Sequence, residues 1–124
     1  MKKNIKQALA FQQQPTTELF RQETSGIIYE LKENINIGTE TADYLKSNLD
    51  ICEALLATLD KLKNYFDYVF LTLEKDEEQI IWLYIYVNYE PQEALERLWE
   101  FDNDWWLTYK KTTANKLCID VVPL

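Results

Sequence analysis

The chain has 124 residues, 47% of them hydrophobic and 27% charged, with two glycines and three prolines. That is the length and composition of one folded domain, and it excludes a disordered, collagen-like or linker-rich chain. Histidine is absent, and 13 basic residues face 21 acidic ones, a net charge of −8. These facts remove the commonest general base and neutral metal ligand, any Ser-His-Asp or Cys-His arrangement, and non-specific binding to a phosphate backbone.

Residues 1–15 carry Lys2, Lys3 and Lys6, are rich in glutamine and end at Pro15, and they are expected to be loosely ordered. Their apolar stretch stops at Gln12, too early for a secretory signal. The longest apolar run, Ile80 to Val87, is eight residues, where a spanning helix needs about 20. A cytoplasmic protein away from membranes is expected.

Residues 16–33 are expected to form a helix, capped by Thr16 or Thr17 and carrying Leu19, Phe20, Ile27, Ile28 and Leu31. The alternation of Ile27, Tyr29 and Leu31, and of Ile35 and Ile37, is the competing strand pattern. Gly38-Thr39 reads as a stop followed by a cap. Leu45, Leu49, Cys52, Leu56 and Leu59 then step by three and four, with Leu55 and Leu62 widening the stripe, which predicts an amphipathic helix over 39–66. Asp50-x-x-Glu53 offers a second start after Ser47-Asn48.

The β-branched and aromatic content of residues 68–74 and 79–89 predicts two strands, joined as an antiparallel hairpin by the polar turn Lys75-Asp76-Glu77-Glu78. Pro91 opens a helix whose apolar side is Ala94, Leu95, Leu98, Trp99 and Phe101, with Glu93 and Arg97 as an i,i+4 pair. That helix is expected to end between Asn103 and Tyr109. Residues 117–122 form a last strand. The fold class is therefore α+β: a helical N-terminal half (16–66) followed by β-β-α-β (67–124), one domain over 1–124. Its small sheet has three or four strands, mainly antiparallel, with helices on one face.

The sheet has two apolar faces. Val69, Leu71, Leu73, Ile81, Leu83, Ile85, Val87, Leu117, Ile119 and Val121 form an aliphatic one. Tyr68, Phe70, Trp82, Tyr84 and Tyr86 form an aromatic one, with Ile80 and Thr72. A half-wet antiparallel sheet alternates apolar with polar, and this one does not. Two covers compete for the aromatic face: residues 1–37 folding back, or a second copy. The second makes the five aromatics a candidate dimer face and the protein a homodimer.

Residues 98–106 hold three tryptophans and the acids Glu100, Asp102 and Asp104. Carboxylates so close in sequence can hold a divalent cation. On a helix, however, Asp102 and Asp104 diverge by about 200°, so the helix would have to end first. The plainer reading is a helix C-terminus whose aromatics anchor it to the core, with Asn103 and Asp104 solvated or turn-forming. Asp102 shares its spacing with Leu95, Leu98 and Trp99, so it is expected to be partly buried and to need an indole or backbone N–H. Cys52 and Cys118 read as reduced, unreactive thiols. Ser25-Gly26 has no base beside it, and two glycines cannot make a phosphate loop. No catalytic, metal or cofactor-binding residue is assigned, and no cofactor is expected.

The run from Glu93 to Leu98, then Phe101-Asp102-Asn103-Asp104-Trp105-Trp106-Leu107, then Lys116 to Val121, resembles a group of small uncharacterised bacterial α+β proteins, chiefly cyanobacterial. The likeness covers residues 68–122. It implies a small α+β domain, and it carries no activity and no site residues.

Acidic charge is concentrated: residues 74–104 contain ten acids and two bases. With the aromatics, this predicts a non-enzymatic protein–protein interaction module, of the antitoxin or immunity-protein kind, that covers a basic partner. The candidate contact residues are Glu77, Glu78, Glu100, Asp102, Asp104, Trp105 and Trp106. A small-ligand-binding domain with an aromatic pocket is one alternative. A carboxylate- and Mg²⁺-dependent enzyme is another.

Overall fold

A computed structural model describes residues 15–124, with side chains from Thr24 onward. The stretch expected to be loosely ordered lies outside the described residues, except for Pro15. The side chains of Leu19 and Phe20 lie outside them too.

Helix α1 spans Pro15–Lys32. Proline suits a first helical position because its missing N–H has no partner there anyway, so Thr16 and Thr17 lie inside the helix and not ahead of it. Thr24, Ile28 and Leu31 are buried one turn after another, while Tyr29 is in solvent. The helical period therefore wins over the alternation of Ile27, Tyr29 and Leu31. The strand pattern survives only at Asn36–Ile37, the short strand β1.

The single helix expected over 39–66 is two. Helix α2 is Thr39–Leu45 and helix α3 is Leu49–Leu62. The break falls at residues 46–48, where Asn48 donates through Nδ2 to the Tyr44 carbonyl at 2.8 Å and stops α2. Cys52, Leu55 and Leu62 are buried as expected, but the restart shifts the centre of the stripe. Ile51 and Thr58 join them in the core, and Leu56 and Leu59 sit at its margin. Buried Thr58 is satisfied within its own helix, donating to the Ala54 carbonyl at 2.8 Å.

Strands β2 (Tyr68–Lys75), β3 (Ile81–Val87) and β4 (Leu117–Pro123) complete a four-stranded sheet in the order β1-β2-β3-β4. Its centre is the expected antiparallel hairpin, with Leu71 opposite Ile85 and Leu73 opposite Leu83. β4 joins β3 parallel because the intervening helix carries the chain back to the same end of the sheet. β1 joins β2 parallel through two residues. The fold is α+β, helices first and then β-β-α-β.

The aliphatic face carries the core. Leu71, Leu73, Ile81, Leu83, Ile85, Val87 and Leu117 are buried against Ile28, Leu31, Leu45, Ile51, Leu55 and Leu62. A β-bulge between Tyr68 and Phe70 alters this pattern at the start of β2. The extra residue flips the strand's phase. Tyr68 now pairs with core-facing Val87 and packs on the helical side, and Val69 is 52% exposed. Both residues therefore lie on the opposite side from the one their alternation predicts.

The hairpin tip is organised by one side chain. Asp76 Oδ1 accepts from the backbone N–H of Glu78 and Ile80 at 2.8 and 3.0 Å, and its Oδ2 accepts from the Trp82 indole at 3.0 Å. Those bonds hold its carboxyl below the usual range. The turn is thus built around Asp76, and only Glu77 and Glu78 are simply solvated.

Candidate functional site

Helix α4 spans Pro91–Phe101 and begins, as expected, with Pro91 in its first turn. Glu93 and Arg97 pair at 2.9 Å. Arg97 also donates to the Tyr65 carbonyl at 3.1 Å and lies 4.2 Å over the Tyr89 ring. That clamp ties the helix to the segment before β2.

The helical run passes the expected end, between Asn103 and Tyr109, by one 3₁₀ turn. It continues as a π-helical turn, Asp102–Trp106, then α5 (Leu107–Tyr109) and a 3₁₀ turn, Lys110–Thr113. The aromatics supply a physical reason. A π-turn puts residues i and i+5 on one face, so Trp106 stacks on Phe101 at 6.4 Å with planes 13° apart. Trp105 stacks on Tyr109 at 4.6 Å. Both indoles stay on the inner side, and Trp106 is only 2% exposed. The Asn103 amide donates to the Trp99 carbonyl at 2.8 Å within this turn.

This geometry removes much of the contact surface expected from the sequence. Trp106 is a core residue. Trp105 is half-buried with its ring packed, and Lys61 lies 6.0 Å over it. Asp104 accepts a hydrogen bond from the Tyr65 hydroxyl at 2.9 Å. Asp102 faces another way, half-buried, and no hydrogen-bond donor meets it among the described residues. Desolvation raises its pKa, Lys110 partly offsets this, and Asp120 adds to it. The expected indole or amide donor is replaced by the charge of Lys110. Glu77 and Glu78 sit on a turn fastened by Tyr44, whose hydroxyl donates to the Gln79 carbonyl at 3.3 Å. The expected set is therefore scattered, and Glu100 is its one exposed member on α4. Among the described residues, no three carboxylates or thiols come together as metal ligands.

What the structure does expose is the outer side of α4. Leu95 is 62% and Trp99 67% exposed, where the helical spacing predicts core. At about 100° per residue, buried Ala94 and Phe101 lie within about 20° of each other. Half-buried Leu98 is about 50° round. Leu95 and Trp99 lie about 60–100° beyond Leu98, outside the reach of the sheet. The acids Glu96, Glu100 and Glu93 follow on the far flank. The apolar arc of α4 is wider than the core can cover, and that width is the sequence signal that identifies the site. An open depression of about 770 Å³ lies among Gln92, Glu93, Leu95, Glu96, Arg97, Trp99 and Glu100.

The aromatic sheet face is the second candidate surface, with Phe70 exposed and Trp82, Tyr84 and Tyr86 half-buried. Phe70, Trp82, Tyr84 and Tyr86 lie on it, with Thr72, Glu74, Cys118 and Asp120 from the paired registers. Tyr68 is not part of it, because of the bulge. The rings are not a flat platform. Phe70 and Tyr86 stack face to face at 4.3 Å, 13° apart, and Trp82 stacks on Tyr84 at 6.0 Å. Desolvation raises the Tyr84 pKa, with Glu74 and Asp120 adding to it. No described helix packs on this face. The part of residues 1–37 expected to cover it is, from Thr24 to Ile37, on the helical side.

Burial pushes the Cys52 thiol up to about 11, with Asp50 and Glu53 adding to the shift, so it is protonated and unreactive at neutral pH. No helix among the described residues is long and apolar enough to cross a membrane. The chain matches no family model, no curated protein and no solved structure.

Proposed function

We propose that this protein is a non-enzymatic acidic interaction module whose contact face is the outer side of α4. The observation that carries the reading is the exposure of Leu95 and Trp99, one turn apart, beside Glu93, Glu96 and Glu100. Tryptophan is the residue most enriched at interface hot spots. Returning most of its surface to an apolar contact stabilises a complex by on the order of 3 kcal/mol. The flanking carboxylates, within a chain of net charge −8, speed encounter with a basic partner and disfavour acidic ones. Covering a basic site on another protein, as an antitoxin or immunity protein does, is the role that suits such a face. The same reading keeps the protein in the cytoplasm with its thiols reduced. Affinity capture from the source organism, with wild type and Trp99→Ala as parallel baits, tests it. A basic protein retained by the first and lost by the second supports the reading, and identical captures refute it.

A second reading concerns self-association. The aromatic face, with Phe70 38% exposed and no described helix upon it, is proposed as the face through which two copies pair. This contact is separate from α4.

A further inference from the structure

We infer that the occupant of the α4 face is an amphipathic helix of a basic protein, bearing Lys or Arg at successive turns along one flank of a narrow apolar stripe. The inference rests on the reading of α4 as the contact face and names what that face takes.

Three features of the surface select this occupant. The first is its shape. Leu95 and Trp99 form a stripe parallel to the helix axis, and Glu96 and Glu100, also one turn apart, form a ridge beside it, with Glu93 farther round. A second helix laid along the stripe meets the ridge with residues at the same steps, because both helices repeat every 3.6 residues. The second is charge. Arg97, the one basic residue in the patch, is held by Glu93, the Tyr65 carbonyl and the Tyr89 ring. With Glu93 and Arg97 offsetting each other, the outward field is that of Glu96 and Glu100. A second copy of this chain would bring a duplicate set of these glutamates and another −8 to the contact, so it does not fit there.

The third is backbone chemistry. A segment that docks by strand addition needs a sheet edge to satisfy its N–H and C=O groups. α4 has none to offer, since its own are bonded within the helix. The edge strand β4 is also a poor acceptor of a strand. Ile81 N–H bonds to the Lys116 carbonyl and Leu124 N–H to the Val87 carbonyl, so the even-numbered groups of β4 face β3. Its odd-numbered groups face outward. Of these, the Val121 N–H is already taken by Asp120 Oδ1 at 2.8 Å, and Pro123 has no N–H. Both are devices that blunt an edge. A helix, with its backbone already paired, needs no such edge and fits the exposed stripe.

The test uses the full chain and labelled synthetic peptides of about 16 residues, long enough to hold a helix when bound. One peptide carries Leu at positions one turn apart and Lys along the adjoining flank. A second has the same composition with the helical phase scrambled. A third has Glu in place of each Lys. Fluorescence anisotropy at low and moderate salt gives the affinities. The phased Lys peptide is expected to bind at least tenfold more tightly than the scrambled one, to weaken with salt, and to lose at least tenfold on Trp99→Ala. The double variant Glu96→Lys, Glu100→Lys is expected to prefer the Glu peptide. All the altered positions are exposed, and circular dichroism checks that each variant is folded. Equal affinity for phased and scrambled peptides, or indifference to Trp99→Ala, overturns the inference. If no peptide binds while Trp99→Ala still changes what the protein captures, the helical occupant is wrong and the contact face stands. If neither happens, both are wrong.

Discussion

Phe101 and Trp106 are five residues apart, and their rings stack at 6.4 Å with planes 13° apart. In a regular α-helix the i+5 side chain has rotated away from residue i, so this contact requires the π-turn between them. The turn settles which tryptophans serve the fold and which face outward.

That division predicts opposite consequences for chemically identical changes. Trp106→Ala empties a core site and is expected to cost about 3–5 kcal/mol in chemical denaturation. Trp99→Ala removes an exposed ring and is expected to change stability by no more than about 0.5 kcal/mol. A large loss at Trp99 would mean that its ring supports the fold and is not free for a partner.

Two aspartates are expected to respond to pH in opposite senses. Asp76 has its pKa lowered by N–H donors from Ile80, Trp82 and Glu78. Its contribution is fully present above the unfolded value, near 3.8, and is lost as pH falls through the lower folded value. Asp102 has its pKa raised by desolvation. Its ionised form opposes folding at neutral pH, and that penalty disappears as pH falls through the raised value toward 3.8. Asp102→Asn should therefore be more stable than wild type at pH 7, with the gap closing in acid. Asp76→Asn should be less stable at pH 7, again with a gap that narrows in acid. Urea midpoints across pH check both signs.

Gly26 lies within α1, and a Cβ built there meets nothing within 4 Å. Gly26→Ala should raise stability by about 0.5–1 kcal/mol, because alanine loses less backbone entropy in a helix. No gain in the thermal midpoint would mean that α1 is not helical at that position in solution.

Much of the fold was legible because local chemistry and tertiary packing agree. Pro91, the Glu93–Arg97 pair and the aliphatic alternation from Ile81 to Val87 act where they stand in the chain. The failures have specific causes. Tyr68 and Val69 changed sides because a bulge, invisible to a period of two, shifted the strand by one residue. Leu56 and Leu59 sit at the margin of the core, and Ile51 and Thr58 inside it, because the helix restarts after Asn48. Leu95 and Trp99 were assigned to the core because spacing gives the width of an apolar arc and not how much of it the sheet covers. Trp105 and Trp106 read both as core anchors and as contact residues, and the π-turn, which leaves no pattern of its own in the sequence, makes them anchors. The candidate site was thus legible in residue type, acidic and aromatic, and not in location.

Self-association through the aromatic face predicts a dimeric mass by sedimentation at protein concentrations on the order of tens of micromolar, a range in which modest interfaces assemble. Phe70→Glu and Tyr86→Lys, made singly, should each return the monomer without unfolding it, since both lie outside the core cluster. A monomer for wild type at that concentration refutes this contact and leaves the α4 proposal untouched.

The most direct measurement is affinity capture with wild-type and Trp99→Ala baits at matched expression and moderate salt. A contact face on α4 predicts a basic partner that is stoichiometric on the wild-type bait and at least tenfold depleted on the variant. The same partner at equal yield on both baits would contradict the assignment of α4 as the contact face.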